Sequence, residues 1–253
     1  MKVAIPSKGR AKTIGKHTLK LLPDALVVVD EAEAEAYADV VDAEQIVTHP
    51  GLQPLSKILN FILDTIEDEV VVIADDDIDH LIALPGWQQR PQRSNPETAN
   101  QVLENAAQCA LDVGCGLFGF AQNENPMFFT PTDPIRLNRW VGSTIGFVGD
   151  HGLRYDERFT LMEDVDLCLQ SLLKHRIVWC DTRWRFRNDR LKNAGGSAHL
   201  RSEAAFAAER ELLRKKWGRY VGFTRQAAHP ERVRKGLAAT TLMTTVRVQR
   251  RQA

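Results

Sequence analysis

Apolar and polar positions switch between two periods along the first third of the chain. Residues 2–5 form a short apolar run that Pro6 ends, and the polar turn Ser7-Lys8-Gly9-Arg10 leads into a helical stretch up to Leu22. Residues 26–29 are a second run, rich in β-branched side chains, that stops at Asp30-Glu31 before a helix-prone Glu/Ala segment. Residues 45–47 are a third, closed by His49-Pro50-Gly51. Leu55, Ile58, Leu59, Ile62 and Leu63 then recur at i, i+3, i+4, i+7 and i+8, which is one apolar face of a helix. Residues 70–74 are the most hydrophobic strand, and they run straight into Asp75-Asp76-Asp77. Strands alternating with helices predict crossover units and a mostly parallel α/β sheet. Continuous apolar strands predict a sheet covered on both faces.

The middle of the chain is less regular. Residues 85–96 read as a loop, with a helix over 96–111 after it. Strands are expected over 114–121, 145–148 and 177–180, and a loop with aromatic content over 123–133. A helix over 164–174 puts Val165, Cys168, Leu169, Leu172 and Leu173 on one face. Residues 191–197 form a Gly-containing loop, and 202–216 an Ala-rich helix. Beyond Pro230 the chain is basic and poor in large apolar groups.

A chain of 253 residues has ample length for a core, as one large domain or two small ones. No apolar run approaches the roughly 20 residues of a membrane helix, and the N-terminus lacks a secretory pattern. Cys109, Cys115, Cys168 and Cys180 form no CxxC pair, so neither a zinc site nor a disulfide framework is expected, and a reducing, cytoplasmic compartment is. The zero net charge hides an asymmetry. Residues 1–175 carry 14 Lys+Arg against 27 Asp+Glu, a balance of −13; residues 176–253 carry 19 against 6, a balance of +13. Such a split fits either contact with nucleic acid or a membrane surface, or a solvated basic tail.

Three consecutive carboxylates at the end of a buried strand need a partner. They either raise one another's pKa or bind a cation. Ligands of a parallel sheet bind beyond the carboxyl ends of its strands, where Asp75, Asp76 and Asp77 stand. Oxygen donors there suit Mg²⁺ or Mn²⁺; the alternative is an acidic loop that caps the next helix. The turn Pro6-Ser7-Lys8-Gly9-Arg10 is either an anion or base site or a plain surface turn. Asp30 either accepts from a ribose or base, or caps the segment after it. Glu163-Asp164-Val165-Asp166 either supplies a general base or complements a helix dipole. His199 follows the loop Asn193-Ala194-Gly195-Gly196-Ser197 and matters only if that loop folds back over a metal. Arg183, Arg185 and Arg187 interleave with Trp184 and Phe186. They suit nucleic acid, or else the aromatics are core and the arginines face solvent.

Taken together, these pieces resemble a GT-A glycosyltransferase over roughly residues 1–217. The strand-and-basic-turn start, the DxD at 75–77 and the ED motif at Glu163-Asp164 occur in the right order. More narrowly, Pro6-Ser7-Lys8-Gly9-Arg10, Ala74-Asp75-Asp76-Asp77-Ile78 and Asn193-Ala194-Gly195-Gly196 are similar to the phage TET-associated glycosyltransferases, which are thought to glycosylate hydroxymethylated pyrimidines in DNA. The resemblance implies a nucleotide-sugar half at 1–80, an acceptor half at 81–217 and a basic extension at 218–253. It implies that Asp77 holds Mn²⁺ or Mg²⁺, that Asp75 touches either the donor's ribose or the metal, and that His199 completes the shell. Pro6, Ser7, Arg10, Asp30 and Lys57 would hold the UDP-sugar, and Asp76 could take one of the roles of its neighbours. Asp164 would be the base, with Glu163 the near alternative. A DNA acceptor carrying 5-hydroxymethylcytosine would meet Arg183, Arg185, Arg187 and Lys192. No membrane contact and no particular protein partner are implied. A glycan, lipid or protein acceptor, a nucleotidyltransferase, and a non-catalytic nucleic-acid-binding module are the competing readings.

Overall fold

The computed structural model describes residues 1–84, 92–123, 133–188, 202–227 and 240–246. The crossover pattern at the start folds as its periodicity predicts. Strands β1 (Lys2–Pro6), β2 (Leu26–Asp30), β3 (Ile46–His49) and β4 (Val70–Ala74) lie parallel. Two short helical turns, α1 (Ala11–Ile14) and α2 (Thr18–Leu21), stand where one helix was expected, and α3 (Ala34–Ala38) and α4 (Leu55–Thr65) make the next crossings.

An eight-stranded sheet results, in the order β3-β2-β1-β4-β9-β7-β10-β8. Its second half holds β7 (Leu117–Phe120), β8 (Ile135–Arg136), β9 (Thr144–Val148) and β10 (Trp179–Asp181). β9 runs antiparallel between β4 and β7. The start of β9 therefore meets the end of β4: Thr144 pairs with Ala74, and Asp75 N–H donates to Ser143 C=O at 2.7 Å. The ends of β1, β2, β4, β7 and β10 share that edge.

Neighbouring residues on each strand divide between two cores, as extended backbone requires. Ile5, Val27, Val29, Val72 and Phe118 pack on one face under α5 (Pro96–Asp112), through Leu103, Ala106 and Ala110. Ala4, Val28, Val71, Ile73 and Phe147 pack on the other, against α4 and α6 (Glu163–Lys174). β4 is buried along its whole length. Gly146 lies opposite Phe118, and a Cβ there would come within 2.0 Å of the phenyl ring. Cys115, Cys168 and Cys180 are buried and free, and burial pushes the Cys180 thiol up to about 12.

Further features depart from the sequence expectations. The acidic triplet leads into a strand, β5 (Ile78–Ala83), and not into a helix that it would cap. β6 (Gln92–Ser94) lies within the expected loop. β5 pairs with β6 and with β11 (Trp184–Asn188) as a separate three-stranded sheet. Phe186 is buried and Trp184 packs on the first core, as the alternating pattern allowed. The Ala-rich helix is α7 (Glu203–Trp217). Past it, β12 (Val221–Ala227) and β13 (Thr240–Val246) pair as a hairpin, so part of the basic extension is strand. Among the described residues, no helix is long and apolar enough to cross a membrane.

Candidate active site

The turn after β1 and the end of β4 are tied together by side chains. Ser7 Oγ donates to Asp76 Oδ2 at 2.7 Å. A hydroxyl has one proton, so Tyr37 Oη, 2.7 Å away, is the donor to Ser7. The phenol oxygen in turn accepts from Arg10 N–H at 3.1 Å. The Arg10 guanidinium pairs with Asp76 and lies 3.5 Å from Asp77 Oδ2. Burial pushes the Asp76 carboxyl up to about 6, against the pull of Arg10 and Ser7; the charges of Asp77 and Asp75 push the same way as burial.

The three aspartates are therefore not equivalent. Asp76 is engaged by Ser7 and Arg10. Asp75 Oδ2 accepts from Asn188 Nδ2 at 2.7 Å, at the end of β11. Thr18 staples the bend: its hydroxyl donates to Asp75 C=O at 2.6 Å and accepts from Ile78 N–H at 2.8 Å. Asp75 and Asp77 flank Asp76, each with a contact of its own, to Asn188 and to Arg10. Their oxygens fit Mg²⁺ or Mn²⁺, ions that keep several waters and take few protein carboxylates. Among the described residues, no group of three acidic, His or Cys side chains forms a ready-made metal cluster. His199 and Lys192 lie outside the described residues.

The second acidic pair reaches the same edge. Glu163 and Asp164 open α6. A Cβ on Gly142 would lie 2.8 Å from Asp164 Oδ2 and 3.2 Å from Trp140 Cζ2. Gly142 precedes Ser143, whose C=O accepts from Asp75 N–H. Asp164 thus lies against Gly142, next to the residue whose carbonyl holds the Asp75 backbone. The buried Tyr155 phenol lies among these groups. Burial raises its pKa well above the usual value, and the charges of Glu163, Asp164, Cys168 and Asp75 add to the rise.

The remaining expected residues sit as follows. Pro6 ends β1, pairing with Val28. Asp30 caps the turn after β2, accepting from Ala32 N–H at 3.0 Å. Lys57 Nζ is 4.0 Å from Glu157 Oε2, with both side chains about half exposed. Arg183 is bound to Asp181 by Nε at 2.9 Å and Nη2 at 2.6 Å. Arg185 and Arg187 are half-buried on β11. Sequence reasoning missed Thr18, Tyr37, Asn188 and Gly142, each of which acts on a residue far away along the chain.

Residues 1–196 match the family model of the TET-associated glycosyltransferases. The chain belongs to that family. It is a glycosyltransferase, and its sheet is of the GT-A type. Two solved structures agree on the fold at low identity. Glucosyl-3-phosphoglycerate synthase from Mycobacterium tuberculosis, in complex with Mg²⁺ and UDP, superposes with a TM-score of 0.51 at 13% identity, covering 97% of this chain and 86% of its own. A mycobacterial protein gives 0.50 at 13% identity, with 97% and 83% covered. Staphylococcus aureus TarS, residues 1–349, gives 0.44 at 16% identity; 73% of this chain covers 60% of that one. No curated protein sequence matches the chain.

Proposed function

We propose that this glycosyltransferase moves a sugar from a nucleotide-sugar, with UDP-sugar the expected donor, to an acceptor hydroxyl, with the help of Mn²⁺ or Mg²⁺. One observation carries the reading. The strand-end carboxylates Asp75 and Asp77 and the helix-start carboxylate Asp164 lie at one sheet edge, Asp164 against Gly142 and the Asp75 backbone bonded to Ser143 beside it. The structural relative that binds Mg²⁺ and UDP supports the same donor chemistry.

Asp77 and Asp75 would hold the ion, and His199 is the proposed further ligand. When bound, the ion neutralises charge on the departing diphosphate. Pro6, Ser7, Arg10, Asp30 and Lys57 would hold the nucleotide. Ser7 and Arg10 keep Asp76 in place, and that fixes the bend on which Asp75 and Asp77 stand. Asp164, or Glu163 beside it, takes the proton from the acceptor hydroxyl as its oxygen attacks the anomeric carbon. The new bond is carbon to acceptor oxygen; the broken bond is carbon to phosphate oxygen, whose electron pair leaves with the diphosphate.

The acceptor we favour is 5-hydroxymethylcytosine in DNA, with the enzyme acting in the cytoplasm of a phage-infected host. The family membership supports it. So does the three-stranded sheet, where Arg185, Ile82 and Arg93 form one cross-strand row and Arg187 pairs with His80 in the next. Opposed residues share a face, so three arginines line one side of the sheet whose last residue, Asn188, holds Asp75. Such a face suits a phosphate backbone. Arg183, tied to Asp181, is the weaker contact.

The test is release of nucleoside diphosphate from a panel of nucleotide-sugars, with Mn²⁺, Mg²⁺ or EDTA, with and without hydroxymethylcytosine DNA. Metal-dependent UDP release that rises with the modified DNA, and a DNA KM that climbs steeply with salt, are expected. Release that ignores DNA would move the acceptor to another class. No release with any donor would overturn the reading.

A further inference from the structure

α7 lies beyond residue 196, outside the span that matches the family model. One of its faces nevertheless grips the chain on both sides of Glu163-Asp164. Glu209, Leu213, Lys216 and Trp217 are spaced i, i+4, i+7 and i+8, so they share that face. The buried Glu209 carboxylate accepts backbone N–H groups from three successive residues: Thr160 at 2.8 Å, Leu161 at 3.0 Å and Met162 at 2.8 Å. It also accepts from the Thr160 hydroxyl. Met162 is the N-cap of α6 and offers no capping side chain of its own. The acid on α7 thus fixes the approach to that helix.

The grip continues past the acidic pair. Asp166 is wholly buried and receives Lys216 Nζ at 2.8 Å, Trp217 Nε1 at 2.7 Å and Gln170 Nε2 at 2.7 Å. Lys216 also reaches Asp156 at 2.7 Å. Between the two polar ends, Leu213 packs with Phe159, Met162, Val165 and Leu169. The opposite side of the segment is held by α4, where Ser56 Oγ donates to Phe159 C=O at 3.1 Å and Asn60 exchanges two hydrogen bonds with Tyr155, both at 2.9 Å.

We infer that α7 is a positioning element for the acceptor-side carboxylates, with Glu209 as its central positioning residue. This rests on the reading of Asp164 as the base. A buried carboxylate that takes three adjacent amides leaves the loop one conformation, and a misplacement of about 1 Å at a reacting group costs on the order of a hundredfold. Glu209 touches no substrate; it acts through the placement of Asp164.

The experiment compares Glu209→Ala, Glu209→Gln and Lys216→Met with the native enzyme and with Leu103→Ala. That control thins the core on the far face of the sheet without touching α7. Turnover is read as UDP release from UDP-glucose with Mn²⁺, with and without hydroxymethylcytosine DNA. UDP affinity, melting temperature and amide exchange at Thr160, Leu161 and Met162 are measured beside it. We expect Glu209→Ala to lower kcat about 10- to 100-fold, to leave UDP affinity within about twofold, and to deprotect the three amides. Glu209→Gln keeps one carbonyl acceptor and should recover part of the loss. Should the alanine variant fold poorly, the glutamine and Lys216→Met variants carry the comparison. A kcat within about twofold of native, or a loss matched by Leu103→Ala at equal melting temperature, overturns the inference. Asp164→Asn runs in parallel. Full activity there sinks the base assignment itself, whereas an inactive Asp164→Asn beside an unaffected Glu209→Ala sinks only the role of α7.

Discussion

Ser7 donates its hydroxyl to Asp76 at 2.7 Å, across 69 positions of sequence. That bond, with the closer of the two Arg10 contacts, gives the middle aspartate of the triplet a different setting from its neighbours. The expected consequence is a graded series. Asp77→Asn should lower transfer at least about a thousandfold, because a lost ion removes several kcal/mol of stabilisation from the departing charge. Asp75→Asn should follow it closely. Asp76→Asn keeps an acceptor for Ser7 but leaves Arg10 short of its closest counter-charge, so its main effect should be on folding, about 1–3 kcal/mol. Sugar transfer and urea unfolding, measured on all three variants, check the order. Equal loss of transfer in the three would remove the distinction.

Gly142 separates the two acidic sites by the smallest possible residue. A methyl group there would stand 2.8 Å from Asp164 Oδ2 and 3.2 Å from the Trp140 ring. Gly142→Ala should therefore displace Asp164 while leaving Ser7, Arg10 and Asp77 untouched. We expect kcat to fall tenfold or more, with UDP affinity nearly unchanged. Titration calorimetry with UDP and Mn²⁺, beside steady-state kinetics, separates the two effects. A loss of UDP affinity as large as the loss of kcat would show that the clash spreads into the nucleotide side.

Local signals account for what the sequence reveals. The order of β1 to β4, the helical face of α4 and the acidic strand end all lie within short windows, where hydrophobic periodicity speaks directly. β5 stayed hidden because Asp79 and His80 break its apolar pattern and its partner β11 lies about a hundred residues away. The three aspartates look alike in the chain. Ser7 and the closer approach of Arg10 mark the middle one, and Asn188 marks the first. Glu209 reads as a solvated residue of an Ala-rich helix, yet it is buried against three amides that carry no sequence signal at all. Asn188 and Thr18 are equally silent, since an amide and a hydroxyl become informative only once their partners are known.

Packing at the centre of the sheet makes a separate test. Gly146 on β9 faces Phe118 on β7, and a Cβ would sit 2.0 Å from the ring. Phe118 is fully buried, so the ring has nowhere to go. Gly146→Ala should destabilise the protein by about 1–3 kcal/mol through overpacking. Phe118→Leu in the same chain should recover part of that loss, because the smaller side chain yields the space. A double-mutant cycle read by urea unfolding measures the coupling. Additive effects would show that the two side chains do not compete.

Acid should weaken the fold through His151. Its Nδ1 accepts from Leu153 N–H at 3.0 Å, so the neutral ring carries its proton on Nε2. Burial, helped by the nearby charge of Arg154, holds its pKa down at about 4. The unfolded chain binds this proton at the ordinary histidine value, near 6.5. Between those two values the unfolded state holds more protons than the folded one, so stability falls as pH drops from about 6.5 towards 4. Water reaches part of the ring, so we expect a loss of about 1–2 kcal/mol and not the full linkage value. Replacing His151 with Asn keeps an acceptor near Leu153 and removes the titration. Unfolding free energies measured from pH 7.5 to 4 should diverge between the two proteins below pH 6.5. Parallel curves would assign the acid sensitivity to other groups.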